Sequence, residues 1–198
     1  MLKVDNSTEL KDRKNEVGYL ADPTQSRRER PASSQESIDE ISNYILGEMR
    51  IDLLYILPPG EIESTVKGKL GSTNPGVDVI QAGSIITADT DKRMLLDIAR
   101  KHKGKVIKSI PPEDATLFNG SDEGVYPHLL KEIGKENILL YATPERLACL
   151  NGSPLIVDTG DPKLDEQLCG FYSVSTGHGK RAIYKAIPSA ERIEQPET

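Results

Sequence analysis

The chain has 198 residues, 36% of them apolar and 28% charged, which supplies one core at a length that favours a single domain. A net charge of −6 with a pI near 5.2 excludes general nucleic-acid binding, which needs surplus Lys and Arg to displace counterions, and favours small-molecule or protein partners. No apolar run reaches the ~20 residues that cross a bilayer, no signal-peptide core opens the chain, and Cys149 and Cys169 read as reduced thiols; a cytoplasmic protein without a membrane partner is expected.

Residues 1–33 alternate acids and bases without an apolar period, so a disordered segment is expected there. The basic cluster Arg27, Arg28 and Arg30 is interleaved with acids and reads as a solvated charge run. One α/β domain then spans 34–188, and a polar tail follows over 189–198. Ile38, Ile41, Ile45 and Met49 recur at helical spacing and predict a helix over 35–50. Ile51 to Leu57 is a short apolar run that stops at Pro58-Pro59-Gly60, the pattern of a buried strand in a parallel sheet. A helix over 61–70 ends at Gly71.

Val77–Ile80 and Ser84–Ala88 form a predicted hairpin around Ala82-Gly83. A helix over 89–101 follows, capped by Asp89 or Thr90, with Met94, Leu95 and Ile98 inward. Val106–Ile110 is a strand and 113–124 a polar loop. Pro127 opens a helix to Ile133, Asn137–Ala142 is a buried strand, and Thr143-Pro144 starts a helix through Leu150. Leu155–Val157 is a strand running into a helix from Pro162 to Leu168. Phe171–Thr176 and Arg181–Ile187 pair around Gly177-His178-Gly179-Lys180. The expected fold class is α/β: a single domain of alternating strands and helices with one or two β-hairpins, preceded by a disordered N-terminal segment.

Several motifs are formally present. Asp158-Thr159-Gly160 matches the aspartic-protease triplet, but it stands late in the chain among helices and lacks the all-β context. Gly177 to Ala182 spells G-x-G-x-x-A, yet a strand follows where a dinucleotide site needs a helix N-terminus, so the glycines read as turn residues. His102, His128 and His178 lack metal-ligand spacing. Asp158, Thr159, Gly160 and Asp161 end a strand, where α/β folds place ligand-contacting loops; ribose or metal–phosphate binding is one reading, and capping of the next helix is the other.

Leu54–Gly60, Gly76–Ile80, Glu136–Leu147 and Val157–Pro162 occur in one order, and on these motifs the stretch from Ser37 to Ile187 resembles the C-terminal part of the ATP-NAD kinase-like family, which includes the acetoin-catabolism X protein. The resemblance implies phosphoryl transfer from ATP or polyphosphate to NAD, giving NADP, with ATP and Mg as cofactors. It implies nucleotide contacts from Gly60, Asp78, Asn119, Gly120, Asp158, Thr159, Gly160 and Asp161, and names no catalytic residue in this chain. The family's G-G-D-G loop has no counterpart here, so the activity is expected to need a separate catalytic-domain partner. A glycine-rich phosphate loop is also replaced, by Ser109-Ile110-Pro111-Pro112-Glu113-Asp114-Ala115 and then Asn119-Gly120-Ser121-Asp122-Glu123-Gly124. Prolines lack the N–H donor and carboxylates repel phosphate. The alternative expectation is a non-catalytic remnant that binds a protein or a nucleotide.

Overall fold

The computed structural model describes residues 34–102, 104–111, 115–120 and 126–192, all within one compact unit. The expected disorder of 1–33, the acids of 113–114 and 121–124, and the end of the tail lie outside the described residues.

Helix α1 (Ser34–Glu48) buries Ile38, Ile41 and Ile45, the stripe its spacing predicts. Strand β1 (Leu54–Leu57) is shorter than expected. Residues 51–53 turn instead, because Arg50 pairs with Asp52 and the Leu53 N–H closes on the Arg50 carbonyl, leaving Ile51 79% exposed. Helix α2 (Glu61–Lys69) follows Gly60 and ends before Gly71, whose φ of 86° is the left-handed stop. Strands β2 (Asp78–Gln81) and β3 (Ser84–Thr87) pair through Ala82 and Gly83, both at positive φ, the two-residue turn that matches strand twist.

Helix α3 (Lys92–Lys101) is capped by Asp91, not by Asp89 or Thr90, since only the Asp91 carboxylate accepts from Arg93 N and Met94 N. Its inward residue is Leu95; Met94, expected inward, is largely exposed. Strand β4 (Gly104–Ser109) follows. Within the segment expected as a polar loop, Thr116–Asn119 forms strand β5, because Leu117 and Phe118 are fully buried and the strand pairs with a later one.

Helix α4 (Pro127–Ile133), strand β6 (Ile138–Tyr141), helix α5 (Pro144–Leu150), strand β7 (Leu155–Asp158) and helix α6 (Pro162–Leu168) fall where Pro at the first turn and the apolar runs put them. Strands β8 (Gly170–Ser175) and β9 (Arg181–Pro188) form the second hairpin, and a short helix α7 (Ser189–Arg192) opens the polar tail. Gly177, His178 and Gly179 all take positive φ in the hairpin turn, so the G-x-G-x-x-A letters serve that turn.

The strands make one mixed nine-stranded sheet in the order β3-β2-β1-β4-β6-β8-β9-β7-β5. Strands β1, β4, β6 and β8 run parallel; β9 is antiparallel to β8, and β7 and β5 follow the direction of β9. One face packs Ile80, Tyr55, Leu57, Ile107 and Tyr141 under α1 and α2. The other packs Leu54, Ile56, Val79 and Val106 against α3 and α4. Farther along, it carries Leu140, Tyr172 and Val174 in a core shared with Leu150, Leu164 and Leu168. The fold class is therefore α/β.

Candidate functional site

Strand direction divides the residues expected at one site into two groups. Because β7 and β5 run opposite to β1, the carboxyl ends of β5 and β7 lie at the amino end of β1. Asn119, Gly120, Asp158, Thr159, Gly160 and Asp161 gather there. Asn119 sits opposite Asp158, and Gly120 N donates to the Asp158 carbonyl at 2.8 Å. A Cβ at Gly120 would stand 2.7 Å from the Thr159 carbonyl oxygen, so this crossing requires glycine. Thr159 is buried and donates both its N–H (2.8 Å) and its hydroxyl (2.6 Å) to Asp165 Oδ1. Asp161 accepts from Lys163 N at 3.1 Å as the cap of α6, and Gly160, at φ 80°, makes the turn. Of the two readings the sequence leaves open, capping is the one Asp161 performs in this structure.

Gly60 and Asp78 lie at the other end. Asp78, buried opposite Leu57, accepts from Ser72 Oγ at 2.6 Å and from Asp89 N at 3.1 Å. Beside it the buried Lys67 ammonium donates to the carbonyls of Asn74 (3.1 Å) and Gly76 (2.8 Å). These bonds hold the 72–78 segment in place. Both Asp78 oxygens are thus used within the fold, not offered to a ligand.

The carboxyl ends of β1, β4 and β6 frame a cleft of about 400 Å³ lined by Gly60, Glu61, Ser109, Pro111, Glu145 and Arg146 among others. From β1 the chain leaves through α2 toward β2. From β4 it passes on to β6 on the opposite side, by way of α4 on the opposite face of the sheet. Open sheets bind ligands at such a reversal, where neighbouring connections part and leave a crevice.

Glu63, in the first turn of α2, is the side chain that shapes this end of the sheet. Its carboxylate accepts from Ser109 N at 2.5 Å and from Ser109 Oγ at 2.6 Å, and it is fully buried. Burial raises its pKa above the ordinary glutamate range, against the lowering by the Ser109 hydrogen bonds and the nearby Lys108. The carboxylate also lies over Gly60: a Cβ there would sit 2.1 Å from Glu63 Oε2. The place between the β1–α2 turn and the end of β4, where main-chain donors of a helix start would meet an anion, is filled by the protein's own carboxylate.

The remaining wall is mixed. Glu145 Oε1 accepts from Ser37 Oγ at 3.5 Å, while its buried Oε2 has no hydrogen-bond partner among the described residues. Glu61 and Glu145 line the cleft together with Lys108 and Arg146, Glu63 lies buried against Ser109, and Pro59 and Pro111 contribute no N–H. A carboxylate ~4 Å from a phosphate charge costs on the order of 4 kcal/mol at an effective dielectric near 20. The donor set therefore does not fit a metal–triphosphate; it fits a ligand that brings hydrogen-bond donors to Glu145.

Glu63, Ser109 and Glu145 were not singled out in the sequence. The spacing of Gly60 and Glu63 marks a helix first turn, but only the β1–β4 pairing carries Ser109 to it. Among the described residues no group of three His, Cys, Asp or Glu side chains is placed to hold a metal ion, and no helix is long and apolar enough to cross a membrane. Compared with known proteins, the chain matches no family model, no curated protein and no solved structure.

Proposed function

We propose that the chain is an ATP-NAD kinase-like module that binds a small donor-bearing ligand in the cleft at the ends of β1, β4 and β6, and that it does not transfer a phosphoryl group by itself. The observation that carries this reading is the Glu63 carboxylate seated on Ser109 and over Gly60, where an incoming phosphate would need empty main-chain donors. The ordered motifs from Leu54 to Pro162 support the family. The prolines and acids at the loop ends speak against an intact phosphate site. Conversion of NAD to NADP with ATP or polyphosphate then requires a separate catalytic-domain partner that supplies the charge neutralisation and positioning on which phosphoryl transfer depends.

The test is calorimetry with NAD and with ATP–Mg, run beside an assay for NADP formation. The expected result is no NADP from the chain alone and weaker binding of ATP than of NAD, with Glu145→Gln weakening NAD. Turnover of NAD by the isolated chain, or ATP binding tighter than NAD, overturns the proposal.

A further inference from the structure

The two faces of the sheet are unequally covered. On the face that carries α1 and α2, the helices reach across β2, β1 and β4 to β6. Beyond them, among the described residues, β8 and β9 present Phe171 at 71% and Ile183 at 67% exposure. Register places Tyr55, Lys105, Leu139, Tyr141, Phe171, Ser173 and Arg181 on this one face, since each stands an even number of pairing steps from the next.

Between α1 and this open face runs a groove of about 560 Å³. Four of the nine aromatic residues of the chain line it from this face: Tyr44, Tyr55, Tyr141 and Phe171. Its charges differ from those of the acidic chain as a whole: Arg50, Lys105, Lys135 and Arg181 stand against Glu48 and Glu136, four cations to two carboxylates. Arg50 is paired with Asp52, and Lys135 donates to the Cys169 carbonyl, but Lys105 and Arg181 make no ion pair among the described residues.

A second feature points to a ligand. Tyr141 is 6% exposed, yet its hydroxyl makes no hydrogen bond among the described residues. Burial of the ring, with Tyr44, Tyr55 and Glu48 nearby, pushes its pKa up to about 12, so at neutral pH the hydroxyl offers a donor to whatever occupies the groove. The hydroxyl is not among the sealed-off polar atoms without a partner, so it opens to the groove, where water or a ligand oxygen accepts from it.

We infer that this groove is a binding site for a small anionic aromatic: a flat ring packed on Phe171 and the tyrosines, its phosphate or carboxylate meeting Arg181 and the Tyr141 hydroxyl. Aromatic walls select a ring, and a net positive lining selects the anion. The cleft between β1, β4 and β6 lacks that excess: Glu61 and Glu145 there are matched by Lys108 and Arg146.

The chain has no Trp, so naphthalene fluorescence reports binding without interference. The probes are 1-naphthyl phosphate, 1-naphthoate and the neutral 1-naphthalenemethanol. At least one anionic probe is expected to bind with Kd below about 1 mM, and the neutral probe about tenfold more weakly. Preference for the phosphate points to a phosphate ester as the natural ligand, preference for the carboxylate to an aromatic acid. Phe171→Ser and Arg181→Ala, both at exposed positions, are expected to weaken the anion about tenfold, and Tyr141→Phe about fivefold. Glu61→Gln, in the other cleft, is expected to leave it unchanged. No binding of either anion at about 5 mM, equal binding of the neutral probe, or loss with Glu61→Gln but not with Arg181→Ala would overturn the inference.

Discussion

Glu63 and Ser109 are joined twice, the carboxylate accepting from both the main-chain N–H (2.5 Å) and the hydroxyl (2.6 Å) of the serine. The contact ties the first turn of α2 to the end of β4 and closes the sheet's reversal from within. It also buries an ionisable group whose pKa is raised, which gives the fold a pH signature.

The sign follows from proton counting. With its folded pKa above the unfolded value near 4.5, Glu63 binds its proton more tightly when folded. Its contribution is therefore greatest at low pH and is lost as pH rises from 4.5 through the folded pKa. Glu63→Gln removes that slope while keeping an amide that can accept from Ser109 N and donate to Ser109 Oγ. Urea midpoints between pH 4.5 and 8 should fall less steeply for the variant than for the parent protein. Parallel curves would show that Glu63 does not titrate in this window.

Gly60→Ala tests how closely the carboxylate is held. The new methyl group would stand 2.1 Å from Glu63 Oε2 and 2.6 Å from its Cδ, so Glu63 must leave Ser109. A loss of about 2 kcal/mol is expected, as for other overpacked sites. In a Glu63→Ala background the same substitution should cost about 0.5 kcal/mol, a coupling visible in a double-mutant cycle. Gly60 has an extended backbone that any residue adopts, so additive costs would contradict the steric account.

Lys67→Met should destabilise by about 3 kcal/mol, because the Asn74 and Gly76 carbonyls lose their donor and the buried Asp78 loses its nearby cation. The urea midpoint reads this directly. A change under about 1 kcal/mol would mean that water takes over the role of the ammonium.

At the ends of β5 and β7, two aspartates are expected to differ. Asp161→Ala removes one helix cap and should cost about 1 kcal/mol. Asp165→Ala strips the buried Thr159 of the acceptor for both its N–H and its hydroxyl, and should cost about 3 kcal/mol. The reverse order would indicate that the loop is held chiefly from Asp161.

Tyrosine ionisation offers a check that needs no unfolding. Tyr141 should titrate near pH 12, and Tyr141→Phe should delete that absorbance step at 295 nm. Loss of the step near pH 12, with the ionisation of Tyr172, which burial also raises, retained, assigns it.

Much of the fold was legible locally. Thr143 before Pro144, Asp161 before Pro162 and Pro127 at a first turn each state a helix start in two residues, and Ala82-Gly83 states a hairpin. Two misreadings have different causes, one local and one distant. Ile51 has the composition of a strand but is turned out by the Arg50–Asp52 pair. Thr116–Asn119 becomes a strand because β7 lies beside it in space, a partner more than thirty residues away.

The candidate site shows the same division more sharply. Residue types and spacing determined which segments would be helix, strand or turn, since propensity, capping and left-handed glycines act within a few positions of the chain. Only the tertiary structure decided that β7 and β5 run against β1, which separates Gly60 and Asp78 from Asn119, Gly120 and the Asp158–Asp161 loop. It likewise decided that Glu63 meets Ser109 and that Tyr55, Tyr141 and Phe171 share one face. Strand direction and register arise from pairing between distant segments, and pairing depends on how whole faces pack.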